Sequence, residues 1–232
     1  MRHIEQFTKF PAEFIRCDIN NLGISRKFYY TYILINRNRT VEDFSWVSIR
    51  KLFSFYGYKE TRHKPKAFFD FIDVLNYMAN KDMIEILCDL NEISYRDAIE
   101  IKINSEKFDC INNYAIITAS QVDFIGSIEK SPDKDCLLTL FLYVIANINK
   151  RSVDVKCPES MPEVFYQSLP TIAATLGMSK TTISQCFEYL CGENGLLVKK
   201  DMSDVRRPNI YAINKPGYEK EIQFAVAKLT EK

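Results

Sequence analysis

The chain has 232 residues, 47% of them hydrophobic and 26% charged, with a net charge of +1. That length buries a substantial core in one domain or in two of about 100 residues, and the composition is that of an ordinary globular protein. The start, MRHIEQFTKF, has neither the apolar core nor the small-residue cleavage site of a secretory leader. The longest apolar run, CLLTLFLYVIA over 136–146, falls short of the roughly 20 residues of a membrane span. A cytoplasmic protein with no membrane partner is expected.

Seven cysteines occur without a C-x-x-C spacing, and the two histidines, His3 and His63, lie far apart. Structural zinc needs four ligands that usually arrive as close pairs, so reduced and mostly buried thiols are expected instead, with no metal or other cofactor. The near-neutral total hides a polarised first half. Residues 24–66 carry ten Lys and Arg against three Asp and Glu, a net of +7, whereas residues 67–129 carry four against twelve, a net of −8. Affinity for a polyanion follows such local patches rather than the sum.

In chain order, RKFYYTYILINRN (26–38) predicts an apolar helix with an Asn/Arg-rich exit. In VSIRKLFSFYGY (47–58), Ile49, Leu52, Phe53 and Tyr56 recur at helical spacing behind Ser48, and Gly57 supplies a left-handed stop. YKETRHKP (58–65) reads as a loop, and with the next residues it gathers Lys59, Arg62, His63, Lys64 and Lys66, a candidate phosphate-contacting run. AFFDFIDVLNYM (67–78) predicts a helix with Phe68, Phe71, Leu75 and Met78 inward, and with Asp70 and Asp73 ill suited to approaching DNA. KDMIEIL and AIEIKIN read as strands, the second alternating Ile99, Ile101 and Ile103. A short strand and a connecting helix are expected over 112–133, with Ser131 and Pro132 opening a second domain, so that the domains run 1–129 and 130–232.

In the second half, PDKDCLLTLFLYVIANINKR predicts a first helix and EVFYQS a small strand. SLPTIAATLGMSKTTISQCFEYL (168–190) is a helix, a glycine turn at Gly177 and a second helix capped by Ser179, its apolar stripe holding Ile183, Phe187 and Leu190. Lys180, Thr181, Ser184 and Gln185 project away from that stripe and suit base edges in a major groove. Leu196 to Lys200 and Asn209 to Asn214 read as the strands of a hairpin, with Lys199, Lys200, Arg206 and Arg207 placed for phosphates. A last helix offers Ile222, Phe224, Val226 and Leu229 for packing or dimerisation.

The two halves repeat. Ser48 aligns with Ser168 and Gly57 with Gly177, nine residues apart in each. Where the second half spends two residues between the glycine and the third helix, the first spends eight. The expected fold class is mainly α with small β-hairpins (α+β), built as two winged helix-turn-helix domains in tandem.

The stretches FTKFPAEFIRCDINNLGISRKFYYTYILINRNR, SIRKLF with GYK, VFYQSLPTIAATLGMSKTTISQC and PNIYAIN together resemble the replication-initiator-type proteins of plasmids and phages in AT-rich Gram-positive bacteria. That resemblance implies origin binding. Ser179, Lys180, Thr181, Thr182, Ser184 and Gln185 would form the reading helix, and the four hairpin cations the wing. The first domain would supply dimerisation and auxiliary DNA contact, with replication machinery as further partners. A transcriptional regulator at an operator, and an adaptor in replication or conjugation, are the competing readings.

An enzyme is not expected. No His-x-His or glycine-rich phosphate loop occurs. The nuclease-like Glu100-Ile101-Lys102, with Asp82 and Asp89 upstream, is equally the alternation of a half-exposed strand. Cys186 and Cys191 read as packing rather than redox residues, and Trp46 with the other aromatics as core rather than a base-stacking surface.

Overall fold

The computed structural model describes residues 6–16, 19–109, 113–129, 133–148, 162–192 and 194–230. Ser131 and Pro132, expected to open the second domain, lie outside them, as do Cys17, Cys110, Cys157 and His3. The fold is mixed α+β with small antiparallel sheets. It divides into two compact units, Met1–Thr139 and Leu140–Lys232.

The first unit begins with strand β1 (Phe7–Pro11) and helix α1 (Lys27–Arg37). Strand β2 (Phe44–Val47), helix α2 (Ile49–Tyr56), helix α3 (Lys66–Asn80) and strands β3 (Ile84–Ile86) and β4 (Ile99–Ile103) follow. The one-turn helix α4 (Ser105–Phe108), strand β5 (Tyr114–Thr118) and helix α5 (Ala119–Ser127) complete it. The division falls inside helix α6 (Lys134–Asn147). Beyond it come helices α7 (Leu169–Leu176) and α8 (Lys180–Leu190), strands β6 (Leu197–Lys200) and β7 (Ile210–Ile213), and helix α9 (Tyr218–Thr230).

Helices α2 and α7 are started and stopped by the same local chemistry. Ser48 Oγ accepts the amide of Lys51 at 3.3 Å, and Ser168 Oγ accepts that of Thr171 at 3.2 Å, each supplying one of the orphan donors at a helix start. Gly57 and Gly177 then stop α2 and α7 in the left-handed region, at φ 71° and 57°, where a Cβ would be strained.

In the first unit β4 is the central strand, pairing antiparallel with β2 (Val47 opposite Ile99) and with β3 (Ile84 opposite Ile103). The alternation of period 2 sends Ser45, Val47, Ile99, Ile101 and Ile103 into the core under α1, α2 and α3, where Phe28, Leu52, Phe53, Phe71 and Leu75 are buried. The buried Ser45 hydroxyl is satisfied by donating to the Ile35 carbonyl at 2.9 Å. Trp46 corrects an expectation: it lies on the opposite face of the sheet beside Phe44 and is 43% exposed, because one residue of strand register decides the face and helical spacing does not apply. The second unit repeats the pairing in reduced form. β6 pairs with β7, and Phe165 bridges Tyr211 on β7 through two 2.8 Å backbone bonds. Helix α9 lays Ile222 and Ala225 on Val164, Met202, Ile210 and Ala212, so it packs on its own hairpin.

An element outside the repeat is the two-stranded sheet of β1 and β5, with Phe7 opposite Thr118. It delivers Phe10 onto Phe28 and Tyr32 of α1.

Candidate nucleic-acid interface

The second unit holds the helix expected to read bases. Along α8, Ile183, Cys186, Phe187 and Leu190 are buried, and the Phe187 ring stacks on Tyr211 of the hairpin at 4.0 Å. That contact, worth roughly 0.5–1.5 kcal/mol beyond the area it buries, fixes the rotation of α8 against β7. The opposite face carries Lys180, Thr181 and Gln185, all exposed, with Ser184 half-buried. None of these four side chains has a hydrogen-bond or ion-pair partner among the described residues.

Ser179 and Thr182 have another task. Ser179 Oγ accepts the Thr182 amide at 3.0 Å and lies 2.8 Å from Thr182 Oγ1, so both hydroxyls close the N-cap of α8. Glu188, absent from the expected set, is exposed on the same outward face. Its spacing of four from Ser184 and seven from Thr181 is the signal in the sequence that locates it.

The hairpin presents Lys199 and Lys200 on β6, and Arg206 and Arg207 in the turn, all exposed and without side-chain hydrogen-bond or ion-pair partners among the described residues. The turn is held from beneath. Met202 is buried, its amide donates to Asn209 Oδ1 at 3.1 Å, and Asp201 accepts the Ser203 amide at 2.8 Å. That backbone bond, with a side-chain bond from Ser203 and the nearby charges of Lys199 and Lys200, holds the Asp201 carboxyl below the usual carboxylate range. Arg206 has φ 54°, an uncommon conformation for a residue with a Cβ. Cys191, at the end of α8, is half-buried, and burial pushes its thiol up to about 11, which leaves it unreactive near neutral pH.

In the first unit the eight residues between Gly57 and α3 form a braced loop. Glu60 forms ion pairs with Arg50 at 3.3 Å and with Arg96 at 3.4 Å, and Thr61 Oγ1 donates to the His63 carbonyl at 2.7 Å. The five expected cations separate into two groups. Lys64 donates to the Ile93 carbonyl at 2.8 Å and lies over the Phe68 ring, and Lys66, the first residue of α3, pairs with Asp70 at 2.5 Å. Lys59, Arg62 and His63 are exposed, with no side-chain hydrogen-bond or ion-pair partner among the described residues. Arg50 and Arg96 share Glu60, so two arginines stand against one carboxylate beside the loop.

The outward face of α3 carries Phe69, 52% exposed, with Asp73 and Asn76. It continues into a cleft of about 910 Å³ lined by Asp82, Glu85, Asp89 and Glu106. Glu100 and Lys102 alternate outward on β4, with Lys102 4.0 Å from Glu85. Among the described residues no group of three or more His, Cys, Asp or Glu is placed to hold a metal ion, and no helix is long and apolar enough to cross a membrane. No protein-family model matches the chain, and neither does any curated protein.

Proposed function

We propose that the chain is a sequence-specific double-stranded DNA-binding protein made of two winged helix-turn-helix domains in tandem, and that it acts in the cytoplasm as a replication initiator of plasmid or phage type. The observation that carries this reading is the partner-free polar face of α8 flanked by four unpaired hairpin cations in one unit. Short polar and amide side chains without internal partners suit base edges, and cations on a hairpin suit phosphates, which position the protein without reading sequence.

Within this reading Lys180, Thr181, Ser184 and Gln185 read bases, Ser179 and Thr182 hold the helix that presents them, and Lys199, Lys200, Arg206 and Arg207 grip backbone. In the first domain Lys59, Arg62 and His63 contact phosphates, while Lys64 and Lys66 brace the loop. The acidic groove beside α3 keeps that helix off DNA, so the first domain serves in dimerisation and auxiliary contact. Repeated short sites on the target favour an initiator; a single palindrome favours a regulator.

The test is salt dependence. Lys199→Ala with Lys200→Ala should weaken binding to all duplexes alike and flatten the slope of log affinity against log salt by about 1.8. An unchanged slope removes the hairpin from the interface.

A further inference from the structure

We infer that Glu188 is a base-reading residue that selects cytosine next to the position read by Gln185. This rests on α8 being the reading helix. Successive helix residues turn by 100°, so residues seven apart lie within about 20° of one line. Glu188 therefore shares the outward line of Thr181, opposite the buried stripe of Ile183, Cys186, Phe187 and Leu190. It occupies the centre of the presented face rather than its margin. It is exposed and has no hydrogen-bond or ion-pair partner among the described residues, so no internal role accounts for its charge.

A carboxylate there has one productive use. Ionised, it only accepts hydrogen bonds. In the major groove guanine shows two acceptors, thymine an acceptor and a methyl group, and adenine a donor beside an acceptor. Cytosine offers its N4 amino group alone, which makes it the base edge that a lone carboxylate matches without opposing an acceptor. Against any other sequence the same charge faces the phosphates and bases uncompensated, so it lowers affinity for wrong sites as well as raising preference for the right one.

Register follows from rise. Gln185 and Glu188 are separated by about 4.5 Å along the helix axis, close to the roughly 3.4 Å between bases on one strand. With Gln185 paired to adenine N6 and N7, its most complementary edge, the two residues specify an adenine and a cytosine at adjacent positions.

The experiment is selection from random duplex with the full chain, its E188Q variant and its Q185A variant, each followed by titration on the selected site and on random duplex. The parent should enrich an adenine–cytosine step. E188Q should lose at least about fivefold in cytosine discrimination while binding random duplex more tightly. Q185A should relax the adjacent position and leave cytosine selected. If E188Q leaves the base profile unchanged while Q185A alters it, α8 reads DNA and the role of Glu188 is overturned. If the parent shows no base preference, both readings fall.

Discussion

Lys27 Nζ lies 2.8 Å from Asp135 Oδ2, with the two side chains only 6% and 12% exposed. Lys27 also donates to the Tyr58 hydroxyl at 3.0 Å and sits 4.1 Å from the Tyr56 ring centroid. Burial works to lower the Lys27 pKa, but the Asp135 carboxylate and the Tyr58 hydroxyl outweigh it and leave it raised. The pair thus joins the start of α1 to the first turn of α6 within the first unit, beside the residue that leads into the basic loop.

Removing one partner strands the other charge in an apolar site. Asp135→Ala is expected to cost about 3–5 kcal/mol, whereas replacing both, with Lys27→Met and Asp135→Leu, should recover most of that loss because the surroundings are aromatic. Urea unfolding midpoints of the two variants decide it. Equal losses would mean that the charges contribute no more than their packing.

Ser179 separates capping from reading. Because its hydroxyl is engaged by the Thr182 amide, Ser179→Ala should destabilise the protein by about 1 kcal/mol and leave base preference unaltered once both proteins are fully folded. A changed selection profile at unchanged stability would return Ser179 to the reading set.

Acid should weaken the first unit through Asp43. Its carboxylate accepts from Ser105 Oγ at 2.5 Å and from Arg39 Nε at 2.8 Å, and those bonds hold its pKa below the usual value. A depressed folded pKa contributes stability that is complete above the unfolded value near 3.9 and is lost as pH falls through the folded one. Asp43→Asn keeps the left-handed backbone at this position tolerable, so the variant should be less stable than the parent at pH 7 and converge with it as the pH falls through the depressed folded value. A stability difference that persists unchanged into acid would locate the effect elsewhere.

What could be read from the chain was what is encoded locally. Ser48 with Gly57 and Ser168 with Gly177 mark helix starts and stops within nine residues, and the inward side chains of α3 and α8 follow from helical spacing alone. Strands β1 and β2 were not legible: each is only four or five residues long, and its partner lies far along the chain, Thr118 for Phe7 and Ile99 for Val47. The exposure of Trp46 follows from that missing register. The side-chain partners that set Lys64 and Lys66 apart from Lys59, Arg62 and His63 needed coordinates, since the carbonyl of Ile93 cannot be inferred from a run of charges. Glu188 was within reach at helical spacing, but the expected reading set ended at Gln185.

Sequence reading by α8 is the central claim, and selection from random duplex with the purified protein, repeated with Gln185→Ala, tests it most directly. The expected result is a defined motif in which Gln185→Ala relaxes one position, at a cost of about 1–3 kcal/mol on the selected site. A profile without base preference, or a motif that survives Gln185→Ala, Lys180→Ala and Thr181→Ala unchanged, would contradict it.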